Sequence, residues 1–210
     1  MKRTITVTGT ASAKAAPDLV TLTLGVETRR DSAAQAYSDA GHAAGAVAAS
    51  LRQAGVADVD LQTSGLSLRA DLVWVEGQGQ KVSGYIASTI LLVAIRSQAD
   101  APAALAAAVA AGGDDIRING IGQGFSDASR VTAAAQEAAW ADAERRAQQY
   151  AQLAGARLGS VVTVSQQPTP GAPVPVGGMA RAYAAEAMPV EAGESSVTAS
   201  VTVEWELLAG

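Results

Sequence analysis

The chain reads as an α+β protein, a largely antiparallel sheet with three helices in the order ββαββαβαββ, and three observations carry that reading. Residues 20–26, 66–74 and 197–207 alternate apolar with polar or small side chains, the period of a strand with one covered face. Three Ala-rich stretches repeat their apolar residues at helical spacing. Capping residues and glycines punctuate these stretches at the positions where helices start and stop. That order of elements describes an α+β domain, which is expected to span residues 1–210 as a single unit.

Taken in turn, Ile5 and Val7 open a short first strand that ends near Gly9, and Pro17-Asp18 marks the turn into the second. There Val20, Leu22, Leu24 and Val26 point one way, and Thr21, Thr23 and Gly25 the other. Ser32, with Gln35 three residues on, forms a capping box. The helix after it places Tyr37, Ala40, Ala44, Val47, Ala48 and Leu51 on one face, and Gly55 stops it. Leu66, Leu68, Ala70, Leu72 and Trp74 alternate in a third strand, and Gly77-Gln78-Gly79-Gln80 turns the chain. Residues 85–95 are almost continuously apolar, the pattern of a strand covered on both faces. These two strands read as a long hairpin.

Asp100 and Pro102 start a second helix, which halts at Gly112-Gly113. A short strand follows around Ile116, Ile118 and Ile121. The glycines at 120, 122 and 124 suit a bulge or sharp turn before Phe125. The third helix runs from about Ala128 to Ala154, with Ser126 or Asp127 as its N-cap and Gly155 as its stop. A strand at 161–164 precedes the last one, where Val197, Ala199, Val201, Val203, Trp205 and Leu207 share a face. Val20, Leu22, Leu24, Leu91, Val93, Val201 and Val203 are expected in the core. Between the last two strands, residues 167–194 hold five of the seven prolines, far longer than the ~4–6 residues of an ordinary connection.

Composition excludes several functions. Hydrophobic residues make up 49% of the 210, so a packed core is available, but aromatics are only 4%, and Val, Leu, Ile and Ala must fill it. A net charge of −5 with scattered basic residues argues against nucleic acid as a partner. No run of about 18 apolar residues exists to form a transmembrane helix. The chain has no Cys, hence no disulfide or thiol chemistry. Met1-Lys2-Arg3 is followed by alternation rather than an apolar signal segment, so the chain as written reads as cytoplasmic. Where a leader has been removed, the reading becomes periplasmic, envelope or secreted.

Several stretches, in order, carry a resemblance. They are Ile5-Thr6-Val7-Thr8-Gly9 with Pro17-Asp18; Asp60-Leu61-Gln62-Thr63 with Gly84-Tyr85; residues 138–154 with Leu158-Gly159; and Pro189-Val190 with Ala192-Gly193-Glu194. Together they resemble the SIMPL-domain family, which includes bacterial periplasmic immunogenic proteins. The resemblance implies an α/β fold without established catalysis, an envelope location, and assembly in some members into large, sometimes channel-like homo-oligomers. It also implies a loose link to stress tolerance. Gly9, Pro17, Asp18, Gly84 and Tyr85 are the family-motif positions, and each has a structural reading: turns, close backbone approach, or packing at a strand start.

Candidate reactive groups are few. His42 is the only histidine and lies on the polar side of the first helix, without the partners that catalysis or a transition metal requires. Asp114-Asp115 lacks the ligand spacing of a calcium loop. Gly120-Ile121-Gly122-Gln123-Gly124 fits neither phosphate-loop pattern. No catalytic, cofactor or metal residue is therefore named, and the chain reads as no enzyme. Two function classes remain: a homo-oligomer-forming structural or interaction protein, and a small-ligand or client-protein binding module of chaperone-like kind. The first is favoured. Its candidate contacts are Val73, Trp74 and Val75 on the hairpin, and Met179, Tyr183 and Met188 in the Pro-rich segment. The sequence names no other protein partner.

Overall fold

The computed structural model describes residues 3–166 and 193–210, together with the backbone of a short strand at Val174–Val176. The strands are β1 (Thr4–Ala15), β2 (Leu19–Arg30), β3 (Leu61–Val75), β4 (Gly79–Ile95), β5 (Ile116–Gly124), β6 (Ala156–Ser165), β7 (Val174–Val176) and β8 (Glu194–Ala209). The helices are α1 (Ala33–Gln53), α2 (Ala101–Gly112) and α3 (Ser129–Leu153). Every strand pairing is antiparallel. The α+β class and the expected element order hold, with β7 as an added short strand inside the Pro-rich segment.

The chain forms two compact units. One contains β2, β3, β4, β5, α1 and α2, with sheet order β3-β4-β2-β5. Val20, Leu22, Leu24 and Val26 all turn to the helix-covered face, where they meet Leu91 and Val93 of β4, Val47 and Leu51 of α1, and Leu105 of α2. Burying one such Leu or Val contributes about 1.5–3 kcal/mol, more than the ~1 kcal/mol of a good cap. Packing, rather than capping, is therefore what holds α1. The cap is nonetheless formed: the Ser32 hydroxyl accepts from the Gln35 N–H at 3.2 Å.

Two details of this unit differ from expectation. Tyr37 is 54% exposed, and Ala36 takes its place on the buried face. Ala36 and Ala40 pack on Ala87, and the buried stripe of α1 continues through Val47 and Leu51, which leaves Tyr37 at its margin. On β4, Ala87, Thr89, Leu91, Val93 and Ile95 are buried, while Leu92 on the other face is exposed, so one face is covered rather than two. A bulge does lie beside the glycine run of β5: Asn119, just before Gly120, is unpaired opposite the Thr23–Leu24 step.

The other unit contains β1, β6, β7, β8 and α3. Its sheet has the order β1-β8-β6, with β7 pairing one end of β8. β1 is longer than its apolar start at Ile5 and Val7 indicates, because it pairs with β8 from Thr4 to Ala15 through small residues of weak hydropathy. β6 likewise starts at Ala156, ahead of its apolar run. Val131, Ala135, Ala139, Ala143, Ala147 and Ala151 line the buried face of α3, and Trp205 sits beneath it with its ring edge toward Trp140, centroids 6.3 Å apart. Val203 is buried as expected, whereas Val201 is only half-buried. No side chain caps α3 from its N-cap position, Ala128; Asp127 instead accepts from the Ser129 N–H at 2.8 Å.

Gly9 sits where α3 comes nearest to β1. A Cβ there would lie 2.1 Å from the Ala139 carbonyl oxygen and 2.7 Å from the Ala143 Cβ. The neighbouring backbone groups on this edge strand are satisfied by α3 itself. The Thr10 N–H donates to the Asp142 carboxylate at 3.2 Å, and Arg146 donates to the Thr8 carbonyl at 3.3 Å. The Thr10 N–H, with Arg145 and Arg146 beside it, holds the Asp142 carboxyl below its ordinary value.

Two expected outcomes follow from this packing. Gly9→Ala inserts a methyl into helix backbone and should cost about 1–3 kcal/mol or more in urea unfolding. Gly41→Ala and Gly45→Ala, within α1 and with nothing within 4 Å of the added carbon, should each gain roughly 0.5–1 kcal/mol. For Asp142, a folded pKa below the unfolded one stabilises the fold above the unfolded value. The stability difference between wild type and Asp142→Asn should therefore be complete at neutral pH. It should shrink as pH falls below about 4, read from urea midpoints across pH 2–7.

Candidate interaction site

β2 ends at Arg30, opposite Tyr85, yet the β3–β4 hairpin continues to its turn. Residues 71–84 therefore form an arm in which, among the described residues, each strand has only the other as its partner. The Gln78 N–H closes the turn on the Val75 carbonyl at 3.0 Å. A two-stranded ribbon of this kind is marginal alone in water.

The root of the arm is fastened by a bulge and an ion pair. Asp71 faces Gly84 and Leu72 faces Val82, so Ser83 is the extra residue. The Arg29 guanidinium lies 2.5 Å from the Asp71 carboxylate and donates to the Ser83 hydroxyl at 3.1 Å. That hydroxyl in turn donates to Asp71, whose carbonyl and carboxylate oxygens are both 3.1 Å away. Gly84 lets this corner close, since a Cβ there would stand 2.9 Å from the Arg30 carbonyl oxygen. Arg30 holds the end of β2 in place by donating to Asp39 of α1 at 2.6 Å and to the Arg29 carbonyl at 2.8 Å. Tyr85 packs on Ala36, Ala40 and Ala87.

The arm's surface is apolar. Trp74 is 75% exposed, and Leu72, Val73 and Val82 are exposed beside it, with Val75 half-buried. The face extends down β3 to Leu66 and Leu68, which are exposed on the side of the sheet that carries α1 and α2. Periodicity marks these leucines as a half-buried strand, but β3 is the edge of its sheet, and although Leu61 at its start packs on the helix-covered core, Leu66 and Leu68 are left uncovered. Met179, Tyr183 and Met188 lie outside the described residues.

The remaining motif positions are structural in their surroundings. Gly9 is the contact point of α3, described above. Pro17 is buried, and the Asp18 N–H donates to the Gly124 carbonyl at 3.1 Å. His42 is exposed on α1. Among the described residues no cluster of three or more His, Asp or Glu could hold a metal. The Arg29–Asp71–Ser83 corner was not read from the sequence; the adjacency of Gly84 to a strand end was its only trace. Arg29→Ala should loosen the arm alone, raising amide exchange over residues 72–82 while leaving β2 protection near wild type.

Comparison with known proteins places the molecule. Two curated relatives, each called 26 kDa periplasmic immunogenic protein, come from Brucella melitensis and Brucella abortus. Each is 31% identical over 215 aligned positions that cover 97% of this chain and 84% of the relative. The family model SIMPL, whose description is a protein of unknown function (DUF541), matches residues 5–205. The chain therefore belongs to the SIMPL family.

Proposed function

We propose that this chain is a non-enzymatic, homo-oligomer-forming interaction protein of the cell envelope. The observation that carries the proposal is the arm at residues 71–84, which presents Leu72, Val73, Trp74 and Val82 to solvent on a ribbon too thin to form its own core. Contact with another copy would cover those side chains and brace the ribbon. The Pro-rich segment 167–194 is the second proposed contact, because its prolines lower the entropy cost of ordering it against a neighbour. The names of the two Brucella relatives support an envelope location. None of the described helices is long and apolar enough to cross a membrane. The non-enzymatic reading rests on a chain with no Cys and a single His.

Light scattering tests the assembly directly. Wild type should run as an integral multiple of the chain mass. The double substitution Leu72→Ser with Trp74→Ser should shift it toward the monomer, with unfolding changed by no more than about 0.5 kcal/mol, since both side chains are exposed. A wild-type monomer throughout the accessible concentration range would overturn the proposal.

A further inference from the structure

Beneath the arm, β3 presents an open edge. It pairs with β4 on one side, and among the described residues no strand lies on the other. Edge strands are normally blunted by proline, by inward charges or by bulges that break their regularity. β3 has no proline, and its own bulge lies at Ser64. Beyond that bulge, Gly65–Val75 of β3 carries no extra residue of its own; the shift between Asp71 and Leu72 comes from the Ser83 bulge on β4. Along this stretch the only charged residues are Arg69 and Asp71, and they flank the midpoint, Ala70.

Resting on the oligomer reading above, we infer that the partner of this edge is a second copy of β3, paired antiparallel about a two-fold axis at Ala70. In that register Ala70 faces Ala70 of the other copy, Leu68 faces Leu72, Leu66 faces Trp74, and Arg69 faces Asp71. On the face of Leu66, Leu68, Leu72 and Trp74 each apolar residue meets an apolar one; on the other face Arg69 meets Asp71, twice over by symmetry, and Val73 meets Ser67.

The neighbouring registers fail on charge. A two-fold axis perpendicular to the sheet keeps each face on its own side, so only residues of the same face can oppose one another. Centring the pair on Arg69 sets arginine against arginine, and centring it on Asp71 sets aspartate against aspartate. Asp71 is held in place by Arg29, whereas Arg69 has no ion-pair partner among the described residues. Pairing supplies one. It also covers Leu66, Leu68, Leu72 and Trp74, which are 62%, 47%, 51% and 75% exposed in the single chain. The result is a continuous sheet through two copies, β5-β2-β4-β3 followed by its symmetry mate.

The test uses charge reversal and a cross-link. Arg69→Asp alone and Asp71→Arg alone each place like charges opposite one another, and each should weaken self-association at least about tenfold. Mixing the two variants restores opposite charges at both positions, so a mixed dimer should form where neither variant pairs with itself. Independently, Ala70→Cys introduces the only thiol of the chain. On the two-fold axis it should oxidise to a covalent dimer under a copper catalyst, while Ser67→Cys, which would face Val73, should remain largely uncoupled. Thermal melts of each variant verify folding. If wild type is oligomeric but the charge variants keep its mass and Ala70→Cys does not couple, the β3 pairing is wrong and the oligomer proposal stands. If wild type is a monomer, both fall.

Discussion

Close approach of helix to sheet is the constraint on which this structure depends. With few aromatic residues to fill space, the layers are brought together by removing side-chain bulk at the contact. In one unit Gly9 meets the backbone of α3 along a stripe of buried alanines. In the other, Ala36 and Ala40 lie on Ala87, and Gly112 of α2 approaches the start of β5 so nearly that an added Cβ would stand 2.8 Å from the Ile116 Cβ. Short separations give many weak dispersion contacts per residue, and they tolerate no added carbon.

The same constraint decides what could be read from the chain. β2 was clear because Val20, Leu22, Leu24 and Val26 differ sharply in hydropathy from the threonines between them. The buried stripe of α3 was not, because Ala135, Ala139 and Ala143 stand among alanines that face solvent, and alanine signals helix without signalling side. The full reach of β1 was hidden for a related reason: Ala11 and Ala13 gain their burial from α3 rather than from any hydrophobicity of their own. The expectation for Tyr37 failed because the buried stripe of α1 is set by Ala36, Ala40, Val47 and Leu51, which puts Tyr37 at its margin.

The exposed apolar face of β3 follows a different logic. Leu66, Leu68, Leu72 and Trp74 repeat every second residue as faithfully as the core strands do. What sets them apart is β3's place at the end of the strand order, a property of the whole sheet that no local window contains. Alternation marked the strand correctly, but it could not say whether the far side of that strand would be met by protein or by water. The fastening at Arg29, Asp71 and Ser83 was equally hidden, because it joins residues from three different strands at a bulge.

The bond from the Asp18 N–H to the Gly124 carbonyl has a consequence for the architecture as a whole. Asp18–Gly124 is one uninterrupted stretch set into a unit whose own chain is resumed at Phe125. Its entry and exit are clasped side by side at 3.1 Å. For the host unit this long excursion is thus equivalent to a tight turn, adding little to the loop-closure entropy of joining β1 to α3. In topological terms the protein is a host and a guest. The guest can acquire length, loops or surface chemistry without the host's connectivity registering the change.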